Sequence, residues 1–405
     1  MKITVQAGVA SGEVIAPPSK SMAHRHILAA ALAEGQSLVR RPGTSRDVCA
    51  TIACVRALGA TCEWEGEDLR IVGTALAGRM PASSLPCGEC GTTLRLLIPV
   101  CLLMDVPVTL TGSPTLLSRP LGVYRDLART HGFLWEQTET ALTVKGCLTA
   151  GDYTLPGDVS SQFISGLLFA LPLTDGDSTL TLTGKIESRP YIDLTLATLR
   201  GAGIDAAWTG ERILRVRAGR YRPTDSRVAG DWSNAVPWLV LQALGDPITV
   251  RGLDPDDGQG DKVIVSYLEQ MRTSHATLSV ADCPDLAPYL MAYAALQNGV
   301  TLTHTARLGY KESDRAHAMQ EELAKCGVRV EVGPDTVTVH PVTPHAPAEA
   351  ISSHNDHRIA MATSLILSRT GGELDGAESV NKSYPSFFDI LRRVGIGNDY
   401  ANSDT

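Results

Sequence analysis

The chain has 405 residues, 43% hydrophobic, 20% charged and 5% aromatic, with 37 Gly and 23 Pro. That length exceeds one ordinary core and points to two domains, and the apolar fraction excludes a disordered chain. The formal net charge of -8 (36 basic against 44 acidic residues), with no basic block, excludes a general nucleic-acid binder but leaves room for a local cationic cluster that takes a small anion.

In chain order, residues 1–6 read as a strand, with no basic stretch leading into a long apolar core, so no secretory signal is expected. Apolar runs such as 96–104 fall far short of the roughly 20 residues that span a bilayer. Nine Cys spread from Cys49 to Cys326 show no disulfide framework and suit free thiols in a reducing cytoplasm. Pro17-Pro18-Ser19-Lys20-Ser21-Met22-Ala23-His24-Arg25 leads into an Ala/Leu-rich helix over 27–33. Ser19 or Ser21 can cap it, with Lys20 and Arg25 near its anion-attracting end. Four segments (51–73, 121–146, 194–219 and 319–340) then share one layout: an amphipathic helix, a Gly, a strand, a turn and another strand. Gly59, Gly132, Gly203 and Gly327 stand where a left-handed residue ends the helix. A weaker copy has Ser274 at that place, and a truncated one has Gly395. The six landmarks fall 73, 71, 71, 53 and 68 residues apart, which predicts six units of about 70 residues grouped three and three. The last unit runs out of chain, and the N-terminal strand is expected to complete it, making one domain discontinuous.

Polar islands lie between the repeats. Cys87-Gly88-Glu89-Cys90-Gly91-Thr92-Thr93-Leu94-Arg95 is a Gly turn at a helix start without the ending of a Walker loop, and its CxxC lacks a second ligand pair for zinc. Asp158-Val159-Ser160-Ser161-Gln162-Phe163 places two hydroxyls and an amide at another start. Ser188-Arg189-Pro190-Tyr191, Asp231-Trp232-Ser233-Asn234 and Asp282-Cys283-Pro284-Asp285 open further helices. Lys311-Glu312-Ser313-Asp314-Arg315 is densely charged, with Lys311 and Arg315 on one helical face. His354-Asn355-Asp356-His357-Arg358 precedes the apolar run 359–367, and its two His have no further ligands nearby in sequence, so no metal is expected. Asn381-Lys382-Ser383-Tyr384-Pro385 begins the last helix. Helix starts of this kind aimed at one cleft would trap a multiply anionic ligand.

Together these islands resemble the 5-enolpyruvylshikimate-3-phosphate synthase family of enolpyruvyl transferases. PPSKS…R, GTTLR, SRP, DVSSQF, SRPY, KESDR, NDHR and NKSYP occur in the family's order along essentially the whole chain. The resemblance implies an α/β fold, a two-domain inside-out α/β barrel, each domain three βαβαββ units with pseudo-threefold symmetry. It implies a domain over 18–228 carrying most shikimate-phosphate contacts. A discontinuous domain over 1–17 and 229–405 would carry acid/base and phosphoenolpyruvate contacts, with a hinge near 17–20 and 228–231. The implied reaction transfers the carboxyvinyl group of phosphoenolpyruvate to the 5-hydroxyl of shikimate 3-phosphate by addition and elimination, needing paired acid/base groups.

Position by position, the resemblance implies shikimate 3-phosphate contacts from Lys20, Ser21, Arg25, Ser160, Ser161, Gln162, Ser188, Tyr191, Asp285 and Lys311. It implies phosphoenolpyruvate contacts from Lys20, Gly91, Arg119, Gln162, Arg315, Arg358 and Lys382. Asp285 is the implied proton acceptor at the 5-hydroxyl, with Glu312 and Lys20 the other proton-transfer groups. Seven cations (Lys20, Arg25, Arg119, Lys311, Arg315, Arg358 and Lys382) are expected to line a strongly positive cleft. No cofactor and no metal are implied, and the partners are the two small substrates of a cytoplasmic monomer that engages neither nucleic acid nor membrane. The chain departs from the family at Glu89-Cys90, where Asn-Ala or Asn-Ser is frequent, at Leu96 in place of Pro, and at Arg307 in place of Asn. Glyphosate occupies the phosphoenolpyruvate site in this family, and Glu89 brings a negative charge near that site. The sister transferase acting on UDP-N-acetylglucosamine carries a Cys before its Arg-Pro and a Lys-Asn pair. Here 111–118 has no Cys and the pair is Lys20-Ser21. A non-catalytic binding protein on the same fold is disfavoured by retention of the charged positions.

Overall fold

The computed structural model describes residues 1–74, 76 and 84–400. The chain divides into an inserted unit, Pro18–Ala229, and a discontinuous unit, Met1–Pro17 with Gly230–Thr405. In the inserted unit the helices are α1 (Lys20–Leu32), α2 (Arg46–Ala57), α3 (Gly91–Cys101), α4 (Pro114–Ser118), α5 (Gly122–His131), α6 (Ser161–Ala170) and α7 (Arg189–Gly201). In α3 and α6 apolar residues surround the axis, and a helix apolar all round belongs in a core. Ile27 of α1, Leu97 of α3 and Phe163 and Leu168 of α6 are buried in one hydrophobic cluster.

One copy of the repeat shows the construction. Leu85–Gly88 and Val108–Gly112 are parallel, which demands a crossover, and α3 provides it. After α5 the hairpin Leu134–Gln137 and Ala141–Lys145 returns so that its second strand pairs with Val108–Gly112. Asp152–Pro156, Ser178–Thr183, Ala206–Trp208 and Ile213–Val216 repeat that order. In the third sheet Glu34–Arg40, Thr61–Glu65 and Asp68–Thr74 follow it too, but the leading strand, Asp225–Arg227, comes from the far end of the unit. Gly73 permits the close approach of this sheet to the end of α1, since a Cβ there would lie 2.2 Å from the carbonyl oxygen of Ala33.

The discontinuous unit contains α8 (Trp232–Ala243), α9 (Ile264–Thr273), α10 (Ala287–Leu296), α11 (Arg315–Ala324), α12 (His357–Thr370) and α13 (Phe387–Arg393). Ala276–Ser279, Val300–Thr303, Val330–Val332 and Thr336–Val339 form a sheet with the same order. In another sheet Lys2–Val5 lies between Gly372–Asp375 and Asn398–Tyr400, with Ile3 opposite both Leu374 and Tyr400. It takes the hairpin position that the sixth copy, ending soon after Gly395, does not supply. The third sheet has two parallel strands, Gly12–Ile15 and Ile248–Arg251.

The helix-ending Gly landmarks adopt positive φ: Gly59 105°, Gly132 70°, Gly203 79°, Gly327 81° and Gly395 102°. Ser274 does not, and the copy expected there is corrected. Its φ is −166°, so the chain leaves α9 extended and enters Ala276–Ser279, the leading strand of the next copy, without a hairpin. The 53-residue spacing after Ser274, 18 short of 71, is the length of that missing hairpin. Where the chain passes between units, the Asp231 amide donates to the Pro17 carbonyl in the discontinuous unit. The Ser19 amide donates to the Ala229 carbonyl in the inserted one.

Candidate active site

In the inserted unit the expected residues meet at the starts of packed helices. Ser19 stands at the N-cap of α1 but its side chain makes no capping bond. Lys20 Nζ donates to Asp47 Oδ2 at 2.8 Å across to the first turn of α2. Arg25 is 2% exposed and ties α1 to α7, donating to the Ser21 carbonyl (2.7 Å), the Tyr191 carbonyl (2.9 Å) and Thr195 Oγ1 (2.8 Å). Burial lowers its guanidinium to about 10. Thr195 also bonds Ser165 of α6 at 2.8 Å. Ser160 caps α6, accepting from the Gln162 amide, and Ser161, its first residue, is buried. The Gln162 amide group is fixed at both ends: Oε1 accepts from Arg95 Nη1 and Nε2 donates to Thr92 Oγ1, each at 2.8 Å. A Cβ on Gly91 would fall 2.9 Å from Arg119 Nη1, so the Arg119 guanidinium rests on that glycine. Ser188, 3% exposed, holds a left-handed φ of 55° at the N-cap of α7.

The discontinuous unit gathers a second cluster. Asp285, in the turn Pro284–Leu286 ahead of α10, places Oδ1 3.1 Å from Lys311 Nζ and 2.6 Å from Arg315 Nη1, and Oδ2 3.4 Å from Arg358 Nη2. Arg315, 2% exposed, also donates to Glu312 Oε2 and Asp356 Oδ2, both at 2.8 Å. Asp356 is fully buried, caps α12 through the Arg358 amide, and accepts from Ser313. Arg358 donates to the Ser233 carbonyl at 2.9 Å and lies over the Tyr289 ring. Lys382 Nζ donates to the Asn355 carbonyl at 2.6 Å.

Burial drives the Asp285 carboxyl up, but the charges of Lys311, Arg358 and Arg315 outweigh it and hold the group well below the usual carboxylate range. For Lys311 burial is the largest influence and lowers its ammonium, which Asp285 partly offsets; Arg307 and Arg315 lower it further. Burial opposes the charge of Arg315, yet Asp356, Glu312 and Asp285 raise it well above its ordinary value.

Carboxylates stand among four of the seven cations. Asp47 matches Lys20, and Asp285, Glu312 and Asp356 match Lys311, Arg315 and Arg358. Concentrating buried guanidinium groups without counter-charges would cost several kcal/mol per ion. Some helix starts are closed to an anion. Asp231, Asp314 and Asp356 cap α8, α11 and α12 with the chain's own carboxylates. Cys90 and Ser160 cap α3 and α6, whereas α1 and α7 have no side-chain cap bond.

Sequence reasoning assigned no role to Asp47, Arg95 or Glu322. Glu322 is fully buried and accepts from His354 Nε2 (2.8 Å), Lys325 Nζ (2.8 Å) and the Ser352 amide (2.9 Å). It anchors the turn in which His354 and Asn355 are left-handed, with φ of 49° and 53°, and so presents the Asn355 carbonyl to Lys382. Arg95 was visible inside GTTLR. Glu322 carries no local signal, lying in an ordinary amphipathic helix. Of the departures, Leu96 is core at 2% exposure, and Arg307 is felt by Lys311.

Two α/β units, each built on three sheets, with buried arginines near helix starts define the class of fold. The family model described as EPSP synthase (3-phosphoshikimate 1-carboxyvinyltransferase) matches residues 6–391, and the chain belongs to that family. It is 37% identical to the 3-phosphoshikimate 1-carboxyvinyltransferase of Clostridium kluyveri over 95% of each chain. With that of Clostridium botulinum it is 35% identical over 96% of each. The structure of EPSP synthase from Acinetobacter baumannii, 24% identical, shares the fold with a TM-score of 0.80 over 98% of this chain and 99% of that one.

Proposed function

We propose that this enzyme transfers the carboxyvinyl group of phosphoenolpyruvate to the 5-hydroxyl of shikimate 3-phosphate and releases phosphate. Family membership across residues 6–391 supports the activity. The observation that carries the residue-level reading is Asp285, a carboxylate kept ionised among three cations.

The chemistry follows from that arrangement. Phosphate and carboxylate groups of the donor compete with Asp285 for Arg315 and Arg358, and the acceptor competes for Lys311. As they take up those cations, Asp285 loses counter-charge and its carboxylate becomes more basic. It then accepts the 5-hydroxyl proton as that oxygen bonds to C2 of the donor, while Glu312 or Lys20 delivers a proton to the methylene carbon. Loss of a proton from the resulting methyl group and cleavage of the C–O bond to phosphate complete the elimination. On the acceptor side, Lys20, Ser21, Arg25, Ser188, Tyr191 and Lys311 meet shikimate 3-phosphate, near helix starts whose backbone N–H groups favour a phosphate. Ser160, Ser161 and Gln162 complete the contacts to shikimate 3-phosphate. Lys20, Gly91, Arg119, Gln162, Arg315, Arg358 and Lys382 hold the donor. Arg is suited to the donor's paired anionic oxygens by its planar fork.

The test is phosphate release from phosphoenolpyruvate with shikimate 3-phosphate or UDP-N-acetylglucosamine as acceptor. Release with the first alone is expected, and folded protein that is silent with it overturns the reading. Arg119→Ala should raise the Michaelis constant for phosphoenolpyruvate roughly tenfold, the loss of a charge-assisted contact, and leave that for shikimate 3-phosphate unchanged; equal effects on both would remove Arg119 from the donor site. We also propose that the enzyme acts as a monomer in the cytoplasm. Nine free thiols, with Cys54 and Cys87 Sγ 3.9 Å apart and unbonded, support a reducing compartment. Among the described residues no helix is long and apolar enough to cross a membrane.

A further inference from the structure

Among the described residues, two groups of three metal-ligating side chains bring their donor atoms within 4.8 Å of one another. One, at Glu321, Glu322 and His354, is explained by the turn that Glu322 anchors. The other is His24, Asp47 and Cys90 in the inserted unit, from α1, α2 and the N-cap of α3, with exposures of 0%, 7% and 1%. His24 Nε2 lies 3.8 Å from Cys90 Sγ. A nitrogen and a sulfur on one tetrahedral zinc, at about 2.0 and 2.3 Å from the ion, stand roughly 3.5 Å apart. The other ring nitrogen, Nδ1, is 2.6 Å from Thr51 Oγ1, which in turn is 2.6 Å from Thr93 Oγ1. This outer pair fixes the ring so that Nε2 faces the thiol, the arrangement that orients a ligating histidine.

We propose that His24 Nε2, Asp47 and Cys90 Sγ form a binding site for a thiophilic divalent cation of the zinc class, and that the cation inhibits the enzyme by replacing Lys20. The Lys20 ammonium is now the cation on Asp47, at 2.8 Å, and its side chain is 15% exposed, so it has a way out. A divalent ion there is neutralised by the Asp47 carboxylate and the Cys90 thiolate, whose proton passes to solvent. Lys20 is released from the position in which it serves both substrates. That last consequence rests on the proposed role of Lys20; the site itself does not. Sequence spacing could not show it, because Cys90's partners are 66 and 43 residues away in the chain rather than in a second Cys pair.

Cobalt(II) titration of the full chain reads the site directly. The exposed Cys49 and Cys147 are first replaced by Ser to remove surface thiols. One equivalent should produce a thiolate-to-cobalt charge-transfer band in the near ultraviolet, which zinc abolishes by competition. The band should vanish in both Cys90→Ser and Cys90→Ala, and Thr51→Val should weaken binding about 10–100-fold. X-ray absorption of the zinc-loaded chain, which needs no Cys90 variant, should give one sulfur neighbour at about 2.3 Å. Absence of the band, its persistence without Cys90, or a sulfur-free zinc shell overturns the site. Zinc should inhibit phosphate release, relative to each protein's own metal-free rate, only where Cys90 is present. Binding without inhibition overturns the displacement of Lys20 and leaves the site standing.

Discussion

Replacing Asp285 by Asn should lower turnover about a hundredfold or more, equivalent to roughly 2.7 kcal/mol of barrier, while binding of phosphoenolpyruvate is kept or tightened. The split follows from the cluster's charges. Asp285 now opposes Lys311, Arg315 and Arg358. Without its charge, those cations are freer for the donor's anionic groups, but nothing remains to take the 5-hydroxyl proton. Steady-state kinetics should show a lower kcat with an equal or lower Michaelis constant for the donor. A kcat within tenfold of the parent would remove Asp285 from proton transfer. Stability supplies a second reading. The folded-state carboxyl is held well below its unfolded value of about 3.9, so its stabilisation is fully present above that pH and is lost as pH falls through the folded value. The stability difference between parent and Asp285→Asn should shrink on acidification below about pH 4, and a constant difference would contradict the ion pairs.

Asp356→Ala should cost about 3 kcal/mol of folding stability, at the lower end of what removing one partner from a buried ion pair costs. Asp356 is fully buried, accepts from Arg315 Nε at 2.8 Å, and caps α12 through the Arg358 amide. Its loss strips one of three carboxylates from a guanidinium that is 2% exposed. Asp356→Asn separates the contributions: Asn still caps a helix, so it should recover about 1 kcal/mol while leaving Arg315 short of charge. Urea midpoints at constant slope measure both, and a loss for Asp356→Ala below 1 kcal/mol would show that Asp285 and Glu312 suffice for Arg315.

The repeat was readable because its elements are local. A helix ending at Gly, then a short alternating hairpin, recurs at Gly59, Gly132, Gly203 and Gly327, and each of these residues adopts the left-handed backbone that only Gly takes without strain. Ser274 misled because the helix before it is real but the hairpin after it is absent, and a strand that begins a new copy reads like one that ends the old. The polar islands were likewise visible as residue types, and they led to the family. Their pairing was not. Lys20 and Asp47 are 27 residues apart and Arg315 and Asp356 are 41 apart, with no pattern that couples them.

By itself the amino-acid sequence determined the repeat count, the two-domain α/β class and membership of the enolpyruvyl-transferase lineage, since periodicity, turn chemistry and motif order are properties of neighbouring residues. The tertiary structure decided which strands complete each sheet, with Lys2–Val5 inserted beside Gly372–Asp375, and which carboxylate meets which cation. Backbone pairing and Coulomb energy both depend on distance in space. The net charge of -8 already contained the acidic residues that oppose four of the seven cations, but only the fold set Asp47, Asp285, Glu312 and Asp356 within hydrogen-bonding reach of them.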